Sequence, residues 1–312
     1  MGNTTLGVTE AEYRLRFRDA AFGADLAEIV AARHGLARPL ARKVEGSNLV
    51  FRTGDGDWLK ISPPFFADAF EAEIAATALV EGRLPLPVPE IRHTGALEDW
   101  RYLVSAHVPG IAMGEVLGEL DEADLERIAE ELGAFTCAFH AVPPAGFERS
   151  FGPWPRYLQA CLDDAQALHR GRGNSAEQVA DIVSFLAPRR SWLEALGPPV
   201  LIHADLTDEH VLVAETGGRW RVSGVLDLAD AMVAPAPLDL TSPFLSLFRG
   251  KAAPQRRLLS VAGVDLPTDD RPGALMALAL QHRFMHFHDW FRAEIASGLT
   301  SVAEIAATVF PD

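Results

Sequence analysis

The chain has 312 residues, 48% hydrophobic and 23% charged, which is typical of a folded globular protein with a sizeable core and excludes a disordered chain. Its formal net charge is −15, from 43 acidic and 28 basic residues. Such a charge disfavours nucleic acid and anionic membranes as partners.

We expect a cytoplasmic protein. The first residues lack the apolar segment of a secretory signal, and no run approaches the roughly 20 apolar residues that span a bilayer. Cys137 and Cys161 have no partners at metal-ligand spacing, which indicates structural thiols and excludes a disulfide scaffold.

The first part of the chain is predicted to contain helices followed by short strands. Thr9 and Glu12 have capping-box spacing, which predicts the start of a helix, and a second helix is predicted at 24–33. Strand-like runs fill 38–62, and a helix with alanine and leucine at helical spacing covers 67–82.

The rest of the chain is predicted to be mainly helical, with one β interruption. Helices are expected at 124–140, 155–169 and 176–196, and a strand–loop–strand–turn–strand pattern covers 199–230. We therefore predict an α+β, bilobal fold. A small β-rich N-terminal lobe with leading helices would span 1–106, and a larger α-helical lobe with an inserted β-hairpin would span 107–312.

The β interruption carries the residues with the clearest chemistry. His203-Ala-Asp205-Leu-Thr-Asp-Glu-His210 precedes one hairpin strand, and Asp227 ends the other, so two carboxylates and an imidazole project from neighbouring ends. Phosphoryl transfer needs a carboxylate that deprotonates the acceptor hydroxyl and ligands for a divalent metal. Asp205 suits the first role, and His210 and Asp227 suit the second.

These residues resemble the catalytic loop and metal-binding aspartate of the aminoglycoside phosphotransferase family, which has a bilobal protein-kinase-like fold. His203 and Asp205 match its His-x-Asp-x-x-x-x-Asn pattern, and His210 stands where most members have asparagine. Histidine at this position resembles the macrolide phosphotransferase branch. The resemblance implies Mg²⁺ as the cofactor, with Mn²⁺ as an alternative because imidazole suits softer metals than Mg²⁺.

The resemblance also extends to the small lobe. Lys60 matches the lysine that holds the α- and β-phosphates, and Glu73 in the next helix matches the glutamate that pairs with it. Glu71 cannot face the same side, because residues two apart diverge on a helix.

Further nucleotide contacts follow from the same resemblance. Ser47 and Asn48 lie between two strands, where a phosphate-covering loop is expected, although this segment has one glycine instead of three. The backbone of Ser105 and His107 would bind the nucleobase in the hinge between the lobes. His203 and Asp239 are predicted to support the catalytic loop.

The acceptor-binding residues are predicted from acidic and aromatic side chains in the helical lobe. The candidates are Asp208, Glu209, His282, His286 and Trp290. His282 and His286 are four residues apart, which would place them on one helical face and could bind Zn²⁺. No third ligand is evident, so packing or an aromatic wall of the acceptor pocket is the favoured interpretation.

The predicted function is transfer of the γ-phosphoryl group of ATP or GTP to a hydroxyl of a small-molecule antibiotic, giving resistance by inactivation. Macrolides, aminoglycosides, peptides and nucleosides stay open as acceptors. The alternatives are a kinase of choline, homoserine or a sugar, and a nucleotide-binding pseudokinase. The position of His210 favours the pseudokinase, whereas Lys60, Asp205 and Asp227 argue against it.

Overall fold

The structure is a computed structural model that describes residues 5–283 and 285–312. Its N-terminal part contains, in chain order, α1 (Glu10–Arg16), α2 (Ala24–His34), β1 (Ala41–Lys43), β2 (Leu49–Arg52), β3 (Trp58–Ser62), α3 (Ala67–Val80), β4 (Ile91–Leu97) and β5 (Trp100–Ser105). The predicted strands and helices of this part are confirmed.

The remainder is mostly helical. It contains β6 (Ile111–Ala112), α4 (Met113–Val116), α5 (Glu122–His140), α6 (Trp154–Asp163), α7 (Ala165–Gly171), α8 (Ala176–Leu186), α9 (Arg190–Glu194), β7 (Val200–Ile202), β8 (Val211–Glu215), β9 (Trp220–Val225), β10 (Met232–Ala234), α10 (Thr241–Ser246), α11 (Ala252–Ala262), α12 (Arg271–Gln281), α13 (Phe287–Trp290), α14 (Arg292–Ala296) and α15 (Val302–Val309). The predicted α+β fold, with a hairpin inside the helical part, is confirmed.

Short-range sequence features determine where α1 begins and where α2 ends. The Thr9 side chain accepts a hydrogen bond from the Glu12 backbone, and the Glu12 carboxylate accepts one from the Thr9 backbone. This reciprocal pair satisfies two N–H groups that the first helical turn leaves free. The second helix ends at Gly35, whose φ of 66° is a left-handed conformation that glycine adopts without steric cost.

The five strands of the N-terminal part form an antiparallel sheet in the order β1-β2-β3-β5-β4. Leu59 and Ile61 of β3 are fully buried in the smaller of two hydrophobic cores, together with residues of α1 and α2. Because side chains alternate along a strand, Lys60 projects from the opposite face. The sheet therefore directs this lysine away from the small core.

The larger core lies in the helical part and includes α5, α11 and α12. Ala72, Ala76 and Val80 of α3 also belong to this larger core. The third helix therefore connects the sheet to the helical part. We propose that the boundary between the two lobes lies after residue 106, because β5 ends at Ser105 and the next strand, β6, begins at Ile111.

Two predicted helices are interrupted, which corrects the sequence-based boundaries. The helix predicted at 155–169 is divided at Asp164, which has the non-helical angles φ −119° and ψ 32°. The helix predicted at 176–196 is divided by a short 3₁₀ segment, Ala187–Arg189. The second break follows from Pro188, which lacks a backbone N–H and clashes with the preceding turn of an α-helix.

Two short strand pairings complete the β structure around the hairpin. The hairpin strands β8 and β9 pair antiparallel, and β6 adds to the other edge of β8. The strand β7 pairs with β10, which the sequence pattern did not predict. None of the described helices is long and apolar enough to cross a membrane.

A buried histidine in α7 makes stability depend on pH. His169 is fully buried, and neither of its ring nitrogens has a hydrogen-bond partner among the described residues. Burial, assisted by the positive charge of Arg172, lowers the pKa of His169 to about 4. The unfolded chain, with an ordinary histidine pKa near 6.5, therefore binds more protons than the folded chain between these two values.

We expect the free energy of unfolding to fall as the pH decreases from about 6.5 towards 4, with His169 contributing at most about 3 kcal/mol. Replacement His169→Phe should reduce this slope, although His203 and His282, whose pKa values are also lowered by burial, will keep part of it. Urea unfolding at several pH values measures the slope. The exposed His288→Phe serves as the control, and an unchanged slope in His169→Phe would contradict the prediction.

Candidate active site

Side chains from both lobes converge on one cluster. Lys60 Nζ lies 2.8 Å from Glu73 Oε2 and 3.2 Å from Asp227 Oδ2. His210 Nδ1 lies 3.1 Å from Asp205 Oδ2, and His210 Nε2 lies 3.9 Å from Asp227 Oδ2. The structure therefore brings together the lysine, glutamate, two aspartates and histidine selected from the sequence.

Glu73 and not Glu71 faces the lysine. Glu71 is exposed, and its carboxylate lies 3.7 Å from Arg101 Nε on another side of α3. Burial would lower the pKa of Lys60, but the charges of Asp227 and Glu73 outweigh it and hold the pKa above its usual value. Lys60 is therefore a fixed positive charge beside Asp227 of the larger part.

Antiparallel pairing of the hairpin explains why His210 and Asp227 lie close together. Val211 at the start of β8 pairs with Val225 at the end of β9. The Leu226 backbone N–H also donates to the His210 carbonyl at 2.8 Å. Residues just before β8 and just after β9 must consequently meet at one end of the hairpin.

Asp239 fixes the loop 203–210, which we call the catalytic loop. Its fully buried carboxylate accepts hydrogen bonds from the His203 and Ala204 backbones at 3.3 and 2.7 Å. It also lies 2.9 Å from His140 Nε2. Ala204 has a φ of 67°, a conformation that costs a non-glycine residue about 1–3 kcal/mol unless its surroundings hold it. The Asp239 contacts supply that support.

His203 connects the catalytic loop to the segment carrying Asp227. Its Nδ1 accepts a hydrogen bond from the Asp205 backbone at 3.2 Å, so its Nε2–H donates to the Leu226 carbonyl at 3.1 Å. Burial lowers the pKa of His203, which keeps the ring neutral. These contacts support a loop-orienting role for His203.

His210 is surrounded by negatively charged side chains. Burial would lower its pKa, but hydrogen bonding to Asp205 and the charges of Asp227 and Asp205 raise it to about 9. Asp227 shows the reverse effect, because Lys60 and His210 outweigh burial and hold its pKa below the usual range. The cluster therefore holds three carboxylates, those of Glu73, Asp205 and Asp227, beside the two cationic groups of Lys60 and His210. A metal ion bound at His210 Nε2 would have to displace the proton from that nitrogen.

The donor atoms of His210 and Asp227 fit a divalent metal ion. His210 Nδ1 is engaged with Asp205, which leaves Nε2 on the side of Asp227. Two ligands of one ion with bonds of about 2.1 Å lie up to about 4.2 Å apart, and the 3.9 Å separation falls within this limit. Among residues 5–283 and 285–312, no group of three or more His, Cys, Asp or Glu side chains suited to a metal occurs. Donor phosphates would therefore have to complete the coordination.

The predicted phosphate loop is held by a residue that the sequence did not reveal. The loop at Gly46, Ser47 and Asn48 precedes β2, and Ser47 is exposed. The Tyr13 hydroxyl of α1 donates a hydrogen bond to the Ser47 carbonyl at 2.7 Å. Tyr13 is itself buried, with its ring against Phe22 and other aromatic side chains. The N-terminal helix thus anchors the loop.

The predicted hinge residues lie at and just after the end of β5. Ser105 is the last residue of β5 and is buried, whereas His107 is exposed and accepts a hydrogen bond from Trp58 Nε1 at 3.4 Å. Nucleobase binding by this segment stays a prediction.

The two acidic candidates of the catalytic loop do not join the cluster. The Asp208 carboxylate accepts a hydrogen bond from Ser246 Oγ at 2.6 Å, and its backbone carbonyl accepts one from Gly114. These contacts favour a structural role for Asp208. Glu209 is exposed.

The expectation that His282 and His286 share a helical face is wrong. The helix α12 ends at Gln281, and His282 has the extended angles φ −62° and ψ 139°. Its Nε2 lies 3.0 Å from the Ala204 carbonyl, so contact with the catalytic loop replaces the next helical turn. His286 is exposed, whereas His282 is buried with its ring centroid 5.8 Å from that of Trp290.

Removal of the Tyr13 hydroxyl tests the anchoring of the phosphate loop. In Tyr13→Phe we expect ring packing to persist and nucleotide affinity to fall about 2- to 10-fold, the effect of one net hydrogen bond. Titration with a fluorescent ATP analogue measures the dissociation constant.

The matched control is Tyr102→Phe. The Tyr102 hydroxyl bonds Arg33 and His34 and has no described contact with the phosphate loop. Equal loss of affinity in both variants would contradict a specific role for Tyr13.

The chain is similar to known proteins along most of its length. A family model described as APH, phosphotransferase enzyme family, matches residues 36–272. An aminoglycoside 3′-phosphotransferase of Streptomyces fradiae is 28% identical over 167 residues, 50% of this chain and 56% of that protein. The chain thus spans about half the length of this relative. A homoserine kinase of Granulibacter bethesdensis (strain ATCC BAA-1260 / CGDNIH1) is 29% identical over 248 residues, 71% of this chain and 68% of that protein.

A solved structure has the same fold. The GDP complex of a mutant aminoglycoside 2′-phosphotransferase-IIIa superposes with a TM-score of 0.72 at 15% identity, covering 91% of this chain and 97% of that chain. This likeness confirms the predicted bilobal, kinase-like fold, and the family model confirms the predicted family resemblance. The chain belongs to the phosphotransferase enzyme family.

Proposed function

We propose that the protein is a kinase that transfers the γ-phosphoryl group of ATP or GTP to a hydroxyl of a small molecule. The observation that carries this proposal is the series of close contacts from Lys60 to Asp227, from Asp227 to His210 and from His210 to Asp205. The GDP in the structural neighbour supports a nucleotide donor. A pseudokinase is disfavoured, because the residues that we propose as base, phosphate-binding lysine and metal ligand lie in one cluster.

The mechanism assigns one task to each side chain. Lys60, held by Glu73, would bind the donor phosphates, and His210 and Asp227 would hold a divalent metal. When bound, the metal neutralises charge on the phosphates. Asp205 would accept the hydroxyl proton of the acceptor. Little covalent chemistry falls to the protein, so the rate enhancement comes from positioning and electrostatic stabilisation.

The proposed acceptor is an antibiotic, whose phosphorylation would inactivate it and give resistance. The similarity to an aminoglycoside 3′-phosphotransferase favours an aminoglycoside, and the histidine at position 210 is the feature that resembles macrolide phosphotransferases. Peptide and nucleoside antibiotics belong to the same proposal. We place the enzyme in the cytoplasm, where the donor nucleotides are.

A second candidate is a kinase of a small metabolite. The homoserine kinase relative matches more of this chain, 71%, than the aminoglycoside 3′-phosphotransferase does, 50%. The two candidates share the donor site and differ only in the acceptor pocket.

The proposed base is tested by Asp205→Asn. This change keeps the side-chain shape and removes the proton acceptor, so we expect kcat to fall about 100- to 10,000-fold. Nucleotide affinity should stay within about twofold. A screen of antibiotics and metabolites for a mass gain of one phosphoryl group, with ATP and with GTP, supplies the assay substrate.

The exposed Asp265→Asn provides the control, since it is the same substitution on the surface of the helical part. Full activity of Asp205→Asn would show that the base is assigned incorrectly. Absence of any phosphorylated product with the unmodified protein would contradict the kinase proposal itself.

The role of His210 is tested by its effect on metal choice. Imidazole favours Mn²⁺ relative to Mg²⁺ more than an amide oxygen does. In His210→Asn we therefore expect the affinity for Mn²⁺, measured by electron paramagnetic resonance with a bound ATP analogue, to fall about tenfold. A lower concentration of Mg²⁺ should then displace the bound Mn²⁺. His210→Ala should weaken both metals. Unchanged Mn²⁺ affinity in both variants would exclude His210 as a ligand.

A further inference from the structure

An ion pair between Arg149 and Asp68 joins α3 to the helical part. Arg149 is buried in the segment between α5 and α6, and its Nη2 lies 2.8 Å from Asp68 Oδ2 in the first turn of α3. The Arg149 Nε donates to the same oxygen at 3.0 Å, and the Ser150 backbone donates to Asp68 Oδ1 at 2.8 Å. Three nitrogen atoms of the helical part therefore hold this carboxylate.

The same guanidinium also holds the turn that follows Asp227. Its Nη1 donates to the carbonyls of Ala229 and Ala231, both at 2.8 Å, and both of these alanines are buried. The Ala229 backbone N–H in turn donates to Asp227 Oδ1 at 3.1 Å. Arg149 therefore fixes the residue whose N–H orients the Asp227 carboxylate.

The segment that carries Arg149 is itself attached to the helical part. Phe147 is buried in the larger core. The Gly152 backbone donates to the Arg149 carbonyl at 2.9 Å and closes a turn, in which Gly152 has a φ of 81°. Glycine adopts this left-handed conformation without steric cost. The guanidinium consequently extends from a turn that the protein holds in place.

Asp68 and Glu73 connect α3 to the Asp227 turn at two levels of the helix. They are five residues apart, which corresponds to about 7.5 Å along the helix axis. Glu73 is connected through Lys60, which contacts Asp227, whereas Asp68 is connected through Arg149. A helix attached at one point can pivot about that point, and a second attachment fixes its direction as well.

The two connections would respond differently to a bound nucleotide. In the proposed site Lys60 binds the donor phosphates and Asp227 binds the metal, so both side chains would exchange part of their mutual contact for ligand contacts. Arg149 and Asp68 have no proposed ligand, and their ion pair can persist. It would then maintain the separation between the lysine and the metal ligand.

We infer that Arg149 is a positioning residue for the metal and the donor phosphates. Through Asp68 it fixes α3, and through Ala229 it orients the Asp227 carboxylate. This inference rests on the proposed function, because it assigns Arg149 a role in the same donor site. Side chains that hold a metal ligand from outside typically change metal affinity or activity by about 10- to 100-fold when they are replaced.

Replacement Arg149→Met tests this role, because it removes the guanidinium and keeps an unbranched side chain. We expect the affinity for Mn²⁺, measured by electron paramagnetic resonance with a bound non-hydrolysable ATP or GTP analogue, to fall about tenfold or more. With a phosphorylated acceptor in hand, kcat should fall by a similar factor while KM for the acceptor stays within about twofold. The exposed Arg156→Met on α6 is the matched control and should leave the affinity for Mn²⁺ unchanged.

A role in stability alone predicts a different result. Urea unfolding and the affinity for Mn²⁺ are measured on the same preparations of Arg149→Met. A lower free energy of unfolding with an unchanged affinity for Mn²⁺ would overturn the inference. Arg149→Lys should recover part of the affinity, because an ammonium group keeps the charge beside Asp68 but lacks the planar fork of donors.

The milder variant Asp68→Asn tests the connection to α3 and keeps the buried arginine on the two carbonyls. We expect it to weaken Mn²⁺ binding at least about twofold, the effect of losing one net hydrogen bond. The exposed Glu71→Gln on the same helix is its control. The double variant Arg149→Met, Asp68→Asn should bind Mn²⁺ as well as Arg149→Met alone, and additive losses would contradict a shared connection.

Binding measurements separate this inference from the kinase proposal. Nucleotide-dependent Mn²⁺ binding that weakens in Arg149→Met, without any phosphorylated product from the unmodified protein, would support the inference and contradict the kinase proposal. Phosphorylation together with unchanged Mn²⁺ affinity in Arg149→Met would contradict the inference alone. Absence of nucleotide-dependent Mn²⁺ binding in the unmodified protein would contradict both.

Discussion

The site depends on the ammonium group of Lys60, which is held between Glu73 and Asp227. These three residues come from β3, from α3 and from the loop after β9, so one buried charge links the sheet to the hairpin of the helical part. Removing one partner of a buried ion pair costs about 3–5 kcal/mol, because the remaining charge loses its compensation. The ion pairs that hold the sheet against the hairpin also place the Lys60 ammonium group where donor phosphates would bind.

A second constraint is the backbone conformation of the catalytic loop and its neighbour. Ala204 and Asp227 both have positive φ values, 67° and 60°, although neither is glycine. Asp239 holds the first through backbone hydrogen bonds, and the Asp227 carboxylate accepts one from the Ala229 backbone. Strain of this kind persists only where surrounding contacts determine the conformation. Contacts within the protein therefore hold this backbone conformation, and such preorganisation is the property that electrostatic catalysis needs.

The sequence predicted the parts of the site that depend on element order and short-range pattern. Asp205 and Asp227 were selected from their positions at the ends of recognisable strands, whereas Lys60 and Glu73 were selected through the family resemblance of the strand and helix that carry them. Tyr13 could not be found in this way, because its contact with Ser47 depends on how α1 packs against the sheet. The end of α12 was missed for a similar reason, since the contact between His282 and the Ala204 carbonyl is tertiary and overrides helical periodicity.

The central claim is that donor phosphates and a metal meet between Lys60 and the pair His210 and Asp227. A crystal structure with a non-hydrolysable ATP analogue and Mn²⁺ tests this claim most directly, because anomalous scattering locates the metal independently of the nucleotide. The account predicts a manganese peak bonded to Asp227 and His210, with Lys60 on the phosphates. A nucleotide bound elsewhere, or a metal peak distant from both residues, would contradict it.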